Sequence, residues 1–149
     1  MSKYTEKAKQ LFLEGYNCSQ AVLGAFCEDL NLDFETAVML SSSFGGGMGR
    51  LREVCGALSG AFMVAGLKCG YSSPDDEKAK ADHYKLIQDM AGEFKKDTGS
   101  IICRELLEGC IPKNEGHIPE KRTNEYYVKR PCIYMVEKGA EIAEKVLLK

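Results

Sequence analysis

Two histidines, no C-x-x-C pair, no excess of one charge and no apolar run of bilayer length mark what this chain of 149 residues lacks. With only His83 and His117, a His-rich metal site is excluded. Without C-x-x-C there is neither a thioredoxin-like motif nor a zinc knuckle. A net charge of −2, with 28 % of residues charged, gives no single-sign field, which disfavours nucleic acid or anionic lipid as a partner. The longest apolar run, Val54 to Leu67, falls short of the ~20 residues that span a bilayer and is flanked by Arg50, Arg52, Glu53 and Lys68; it reads as a buried core helix. The N-terminal "MSKYTEKAKQLFLEGYN" is charged and amphipathic where a signal peptide would be continuously apolar, so a cytoplasmic protein is expected.

Sustained period-2 alternation is also missing, and the helical period takes its place. Tyr4, Ala8, Leu11 and Phe12 predict a helix over about 3–14, closed by Gly15. Asn17 caps a second over about 18–30, and Asp33 a third beginning "FETAVMLSSS". After the cluster "FGGGMGR" a helix is expected over 51–67. Another starts with Ser73 as N-cap and Pro74 in the first turn and runs to about 96, its apolar face holding Ala79, His83, Leu86, Ile87, Met90 and Phe94. His83 there reads as a satisfied core histidine. Ser100 begins the short "IICRELLEG", and Pro131 opens a C-terminal helix patterned by Ile133, Val136, Ala140, Ala143 and Leu147. The stretch 111–127 is irregular, and "NEYYVK" is the one candidate for a short strand. The expected fold is all-α: one domain over 1–149, a bundle of about six to seven helices with a glycine-rich loop before a buried central helix.

The glycine cluster fits no nucleotide motif. A P-loop needs a lysine and a Ser/Thr, and G-x-G-x-x-G needs glycine where Arg50 stands. "GALSG" has its serine one place too late for a nucleophile elbow. What remains is a connection in which several residues take positive φ, or a nest of N–H groups for an anion or thiolate; Gly46, Gly47, Gly49 and Arg50 are the candidate substrate-binding residues. Gly56 and Gly60 share a helix face and allow another helix to approach Cys55.

Seven cysteines in a chain without an export signal point to reduced thiols, metal ligation or redox chemistry rather than a disulfide framework. Cys18, Cys55, Cys103 and Cys132 all fall near predicted helix N-termini. There, unsatisfied N–H groups and the positive dipole end favour a thiolate, and Arg50, Arg52, Arg104 and Arg130 stand nearby in sequence. Cys27, Cys69 and Cys110 read as core fillers. Cys103 and Cys110 are ~10 Å apart along a helix, so any disulfide or metal site must join different helices.

"CGALSG" at 55–60, preceded by "FGGGMGR" and flanked by Cys18 in "YNCSQAV", Cys103 in "CRELLEG" and Cys132 in "RPC", resembles the C_GCAxxG_C_C family of redox-active proteins over almost the whole chain. Carried over by position, the resemblance implies that Cys18, Cys55, Cys103 and Cys132 are the family's four cysteines and that its role is redox chemistry. The expected function is thus thiol chemistry without a required cofactor, possible thiol–disulfide oxidoreductase activity, with Cys55 attacking an oxidised substrate or disulfide, Cys18 resolving it, and an unspecified electron donor or thiol partner. The alternative is a metal-binding protein in which the same four cysteines hold zinc or an iron–sulfur cluster.

Overall fold

The computed structural model describes residues 2–111 and 115–149. The fold is all-α, with no strand among the described residues. The elements are α1 (Lys3–Leu13), α2 (Cys18–Phe26), α3 (Phe34–Ser41), a 3-10 turn (Ser42–Phe44), α4 (Gly45–Met48), α5 (Gly56–Cys69), α6 (Glu77–Thr98), α7 (Cys103–Leu106), α8 (Asn124–Lys129) and α9 (Cys132–Leu147). No helix is long and apolar enough to cross a membrane among the described residues.

The ends of the first helices follow from their caps. Gly15, at φ 109°, closes α1: its N–H donates to Phe12 O and that of Tyr16 to Leu11 O, the paired bonds of a Schellman cap. Asn17 starts α2 in a reciprocal capping box with Gln20, and Asp33 accepts from Thr36 N at the start of α3. α2 is shorter than expected, passing at Cys27 into turns.

α5 lies at the centre, packed between α2 and α9, with α1 bridging α2 and α9 and α6 lying outside against α5 and α9. Residues on every side of α5 are buried, from Gly56 to Ala65. Small residues set the spacing. A Cβ on Gly56 would stand 2.9 Å from Phe44 O and 3.2 Å from Cys18 Cβ; one on Gly60 would stand 2.8 Å from Ser19 O. Gly139 of α9 lies equally close to Ala57 O, at 2.7 Å from its would-be Cβ. These contacts bring the N-terminal ends of α2, α5 and α9 to one place.

Four expectations are corrected. The helix expected over 51–67 begins only at Gly56, because Arg52 to Cys55 pair with Ile101 to Arg104. Val54 bridges Ile102, Cys55 N–H donates to Ile101 O, and Cys103 N–H donates to Glu53 O. "NEYYVK" is helix α8, since Thr123 Oγ1 accepts from Tyr126 N and starts a helical turn against the strand preference of its side chains. α6 begins at Glu77 with Asp76 as its cap, three residues beyond the expected Ser73, and only Met90 and Phe94 of its apolar face are buried. His83 is not satisfied: its ring packs edge-on against Tyr71, with Nδ1 buried and unpartnered.

Candidate functional site

The glycine cluster forms a turn of the opposite hand to the helices around it. Gly46, Gly47, Met48, Gly49 and Arg50 all have φ between 60° and 71°, and Arg52 follows at 62°. Glycine is needed at Gly47 for space as well as dihedral: a Cβ there would lie 2.6 Å from Cys103 Cβ and 2.8 Å from Arg52 Cα. The turn therefore delivers Arg50 and Arg52 to one side of α5 while staying close against Cys103.

Cys18, Cys103 and Cys132 are each the first residue of their helix and Cys55 is the N-cap of α5. The four come from separate helices, as the spacing required, and line one cavity of about 50 Å³ together with Gly46, Gly47, Arg52, Arg122, Tyr126 and Arg130. Cys55, Cys103 and Cys132 are buried and Cys18 is half-buried. All seven cysteines are free thiols. Cys27 is buried as expected of a core filler, but Cys69 is exposed and Cys110 half-buried, its thiol donating to Lys129 O at 3.2 Å.

The four thiols are not electrostatically equal. Burial pushes Cys55 up to about 12 and outweighs the Ala57 and Leu58 amides, which favour its thiolate. Burial also raises Cys103, although Arg52 Nη1 reaches its sulfur at 3.6 Å and pulls the other way. Cys132 alone of the four is lowered. The thiol of Cys18 hydrogen-bonds its sulfur, and the guanidiniums of Arg130, Arg122 and Arg52 act in the same direction against burial. Cys18, as the donor, is held well above the ordinary thiol range. A common lowering at four helix starts is therefore corrected. Desolvation shifts a buried thiol by up to several units, more than the ~1 kcal/mol of a helix terminus.

Next to the thiol cavity lies a wider cleft of about 240 Å³, which shares Gly46, Arg52, Arg122, Tyr126 and Arg130 with it and adds Gly49, Arg50 and His117. Glu115 pairs with both Arg50, at 2.8 Å, and Arg52; Glu120 pairs with Arg130. Arg52 and Arg130 are almost fully buried, so these pairs fix the walls. Arg122 is held differently. Its Nη atoms donate to Phe12 O and Tyr16 O at 3.1 Å, and its plane lies over the rings of Phe12 and Tyr126. Of the residues around this cleft, sequence reasoning found Gly46, Gly49, Arg50 and Arg130, and matched Arg52 to Cys55 rather than Cys103. It missed Arg122, Glu115 and Tyr126, whose only signal was an irregular segment rich in Arg, Glu and Tyr.

Among the described residues no group of three or more His, Cys, Asp or Glu side chains is placed so that it could hold a metal ion.

A protein-family model described as "Putative redox-active protein (C_GCAxxG_C_C)" matches residues 16–146. No curated protein and no solved structure matches the chain.

Proposed function

The chain belongs to the C_GCAxxG_C_C redox-active family, and from that premise we propose that it reduces small disulfides by thiol–disulfide exchange, with Cys132 attacking and Cys18 resolving. The observation that carries this reading is the hydrogen bond from Cys18 to the sulfur of Cys132, the one thiol of the four with a lowered pKa. The nucleophile is thus Cys132 in place of Cys55, whose thiol is about 12 and stays protonated near neutrality.

The Cys132 thiolate attacks one sulfur of a substrate RS–SR. A Cys132–SR bond forms, the S–S bond breaks, and RS⁻ leaves. Cys18 then attacks the Cys132 sulfur, forming the Cys18–Cys132 disulfide and expelling the second RS⁻, while the Cys18 proton passes to a departing thiolate. Two electrons have moved from the two cysteines to the substrate, and an external dithiol returns them. Arg52, Arg122 and Arg130 stabilise the Cys132 thiolate before attack. Gly46 and Gly47 close the cavity wall so that substrate meets Cys132 rather than solvent.

The test is exchange with hydroxyethyl disulfide followed by peptide mapping. Loss of two of the seven thiols as a Cys18–Cys132 disulfide is expected, with no exchange in Cys132→Ser. Unchanged thiol content, or full exchange by that variant, overturns the proposal. So does stoichiometric zinc, or an iron–sulfur chromophore, in protein purified without oxygen.

A further inference from the structure

The cleft leading to Cys132 is built from cations that its own acids do not fully offset. Four guanidiniums, those of Arg50, Arg52, Arg122 and Arg130, face the carboxylates of Glu115 and Glu120. Even with Cys132 as a thiolate, one positive charge stays unmatched. Of the four, Arg122 is the one that shares no carboxylate. Its partners are two carbonyl oxygens, the Tyr127 hydroxyl and aromatic rings, and no carboxylate pairs with it among the described residues. Those carbonyls, Phe12 O in the last turn of α1 and Tyr16 O in the connection that follows it, hold the guanidinium in place before any ligand arrives. A pre-positioned guanidinium loses little freedom on binding, and its planar fork suits a carboxylate.

Arg122 lines both the 240 Å³ outer cleft and the 50 Å³ thiol cavity. A group bound to it therefore stands between solvent and Cys132. The outer space holds the body of a small molecule, whereas the inner space has room for little more than one reacting sulfur. Arg50 and Arg52 already pair with Glu115, which leaves Arg122 as the guanidinium of the cleft open to an outside carboxylate.

Resting on the exchange reading above, we infer that the substrate is an anionic disulfide, carrying a carboxylate near its sulfurs that faces Arg122 while one sulfur reaches Cys132. The chemistry is unchanged: the charge selects and orients the disulfide, and the electrons still come from Cys132 and Cys18. A neutral disulfide of equal size reacts by the same steps but without the guanidinium contact.

Iodoacetate and iodoacetamide separate the charge from the reaction, since both alkylate thiolates and differ in one carboxylate. The rate of each at Cys132 is measured by peptide mapping of the full chain, with exposed Cys69 as the internal reference. At low ionic strength the iodoacetate-to-iodoacetamide ratio is expected to be at least tenfold higher at Cys132 than at Cys69. Added salt shrinks that advantage. Arg122→Gln lowers the ratio several-fold and Arg122→Lys restores part of it. A ratio no higher than that of Cys69 overturns the inference and leaves disulfide exchange standing. A Cys132 that neither reagent alkylates overturns both.

Discussion

The thiol of Cys18 donates a hydrogen bond to the sulfur of Cys132, and the two pKa values move apart, Cys18 up and Cys132 down. The charged form is thereby favoured at Cys132, with Cys18 as its proton donor. The two residues open α2 and α9, which meet only because Gly56 and Gly139 let those helices press against α5.

Alkylation of Cys132 should consequently persist as pH falls below 9, the ordinary thiol value, where other thiols lose reactivity. The sign follows from the thiolate fraction: a lowered pKa keeps that fraction high at lower pH. Cys18→Ala removes the leading cause of the lowering, so its rate at pH 7 should fall. A pH–rate profile for each protein reads both effects. Coincident profiles would show that Cys18 does not tune its neighbour.

Cys55, at about 12, should be silent towards iodoacetamide at pH 7–8 in the folded protein and labelled fully only after denaturation. Mass spectrometry of native and denatured samples checks this. Rapid native labelling of Cys55 would restore it as the attacking thiol.

Gly47→Ala combines a left-handed dihedral with overlap against Cys103 Cβ and the Arg52 backbone. A loss of about 2–5 kcal/mol is expected, from ~1–2 for the dihedral and ~1–3 for the overlap. Gly49→Ala has the same dihedral problem, but its nearest neighbour is Ser43 O at 3.9 Å, so it should lose only the smaller part. Denaturant titrations of the two variants make the comparison, and equal losses would count against the close contact at Cys103.

Glu115 has its carboxyl lowered by the hydrogen bond from Arg52, with the charges of Arg52, Arg50 and Arg130 adding to it. A carboxylate depressed in the folded state contributes stability above its unfolded value, near 4.5, and that contribution disappears as pH falls through the lowered folded value. Glu115→Gln should therefore cost about 3 kcal/mol at pH 7, because it leaves buried Arg52 without its counter-charge. The gap to the parent should close in acid. Parallel thermal melts at pH 7 and below pH 4 measure it, and a gap independent of pH would refute the linkage.

Much of the frame could be read from single residues. Gly15, Asn17 and Asp33 carry their capping chemistry in their side chains, or in the lack of one, and each acts at its expected place. The four cysteines at helix starts were legible for the same reason. The backbone of Arg50 and Arg52 was not, as nothing in an arginine announces positive φ. Their backbone follows from the pairing of 52–55 with 101–104 and from Glu115, contacts made across ~50 residues of chain. Thiol ranking was likewise out of reach. It depends on how deeply each sulfur is buried and on Arg122, which arrives from a segment whose sequence shows only irregularity. Tyr126 and Tyr127 favour a strand by composition, yet Thr123 and the packing of Arg122 on their rings make them helical.

From Gly46 to Arg50 the chain winds as its mirror image would. Glycine, having no stereocentre, takes three of these five positions without penalty. Met48 and Arg50 do have one, and each bears ~1–2 kcal/mol for it. At those two positions chirality, rather than bulk or polarity, is what the fold strains against. A D-residue introduced there by chemical synthesis would find the backbone it prefers, and inverting a stereocentre would relax a protein that the same change almost anywhere along α5 or α9 would break.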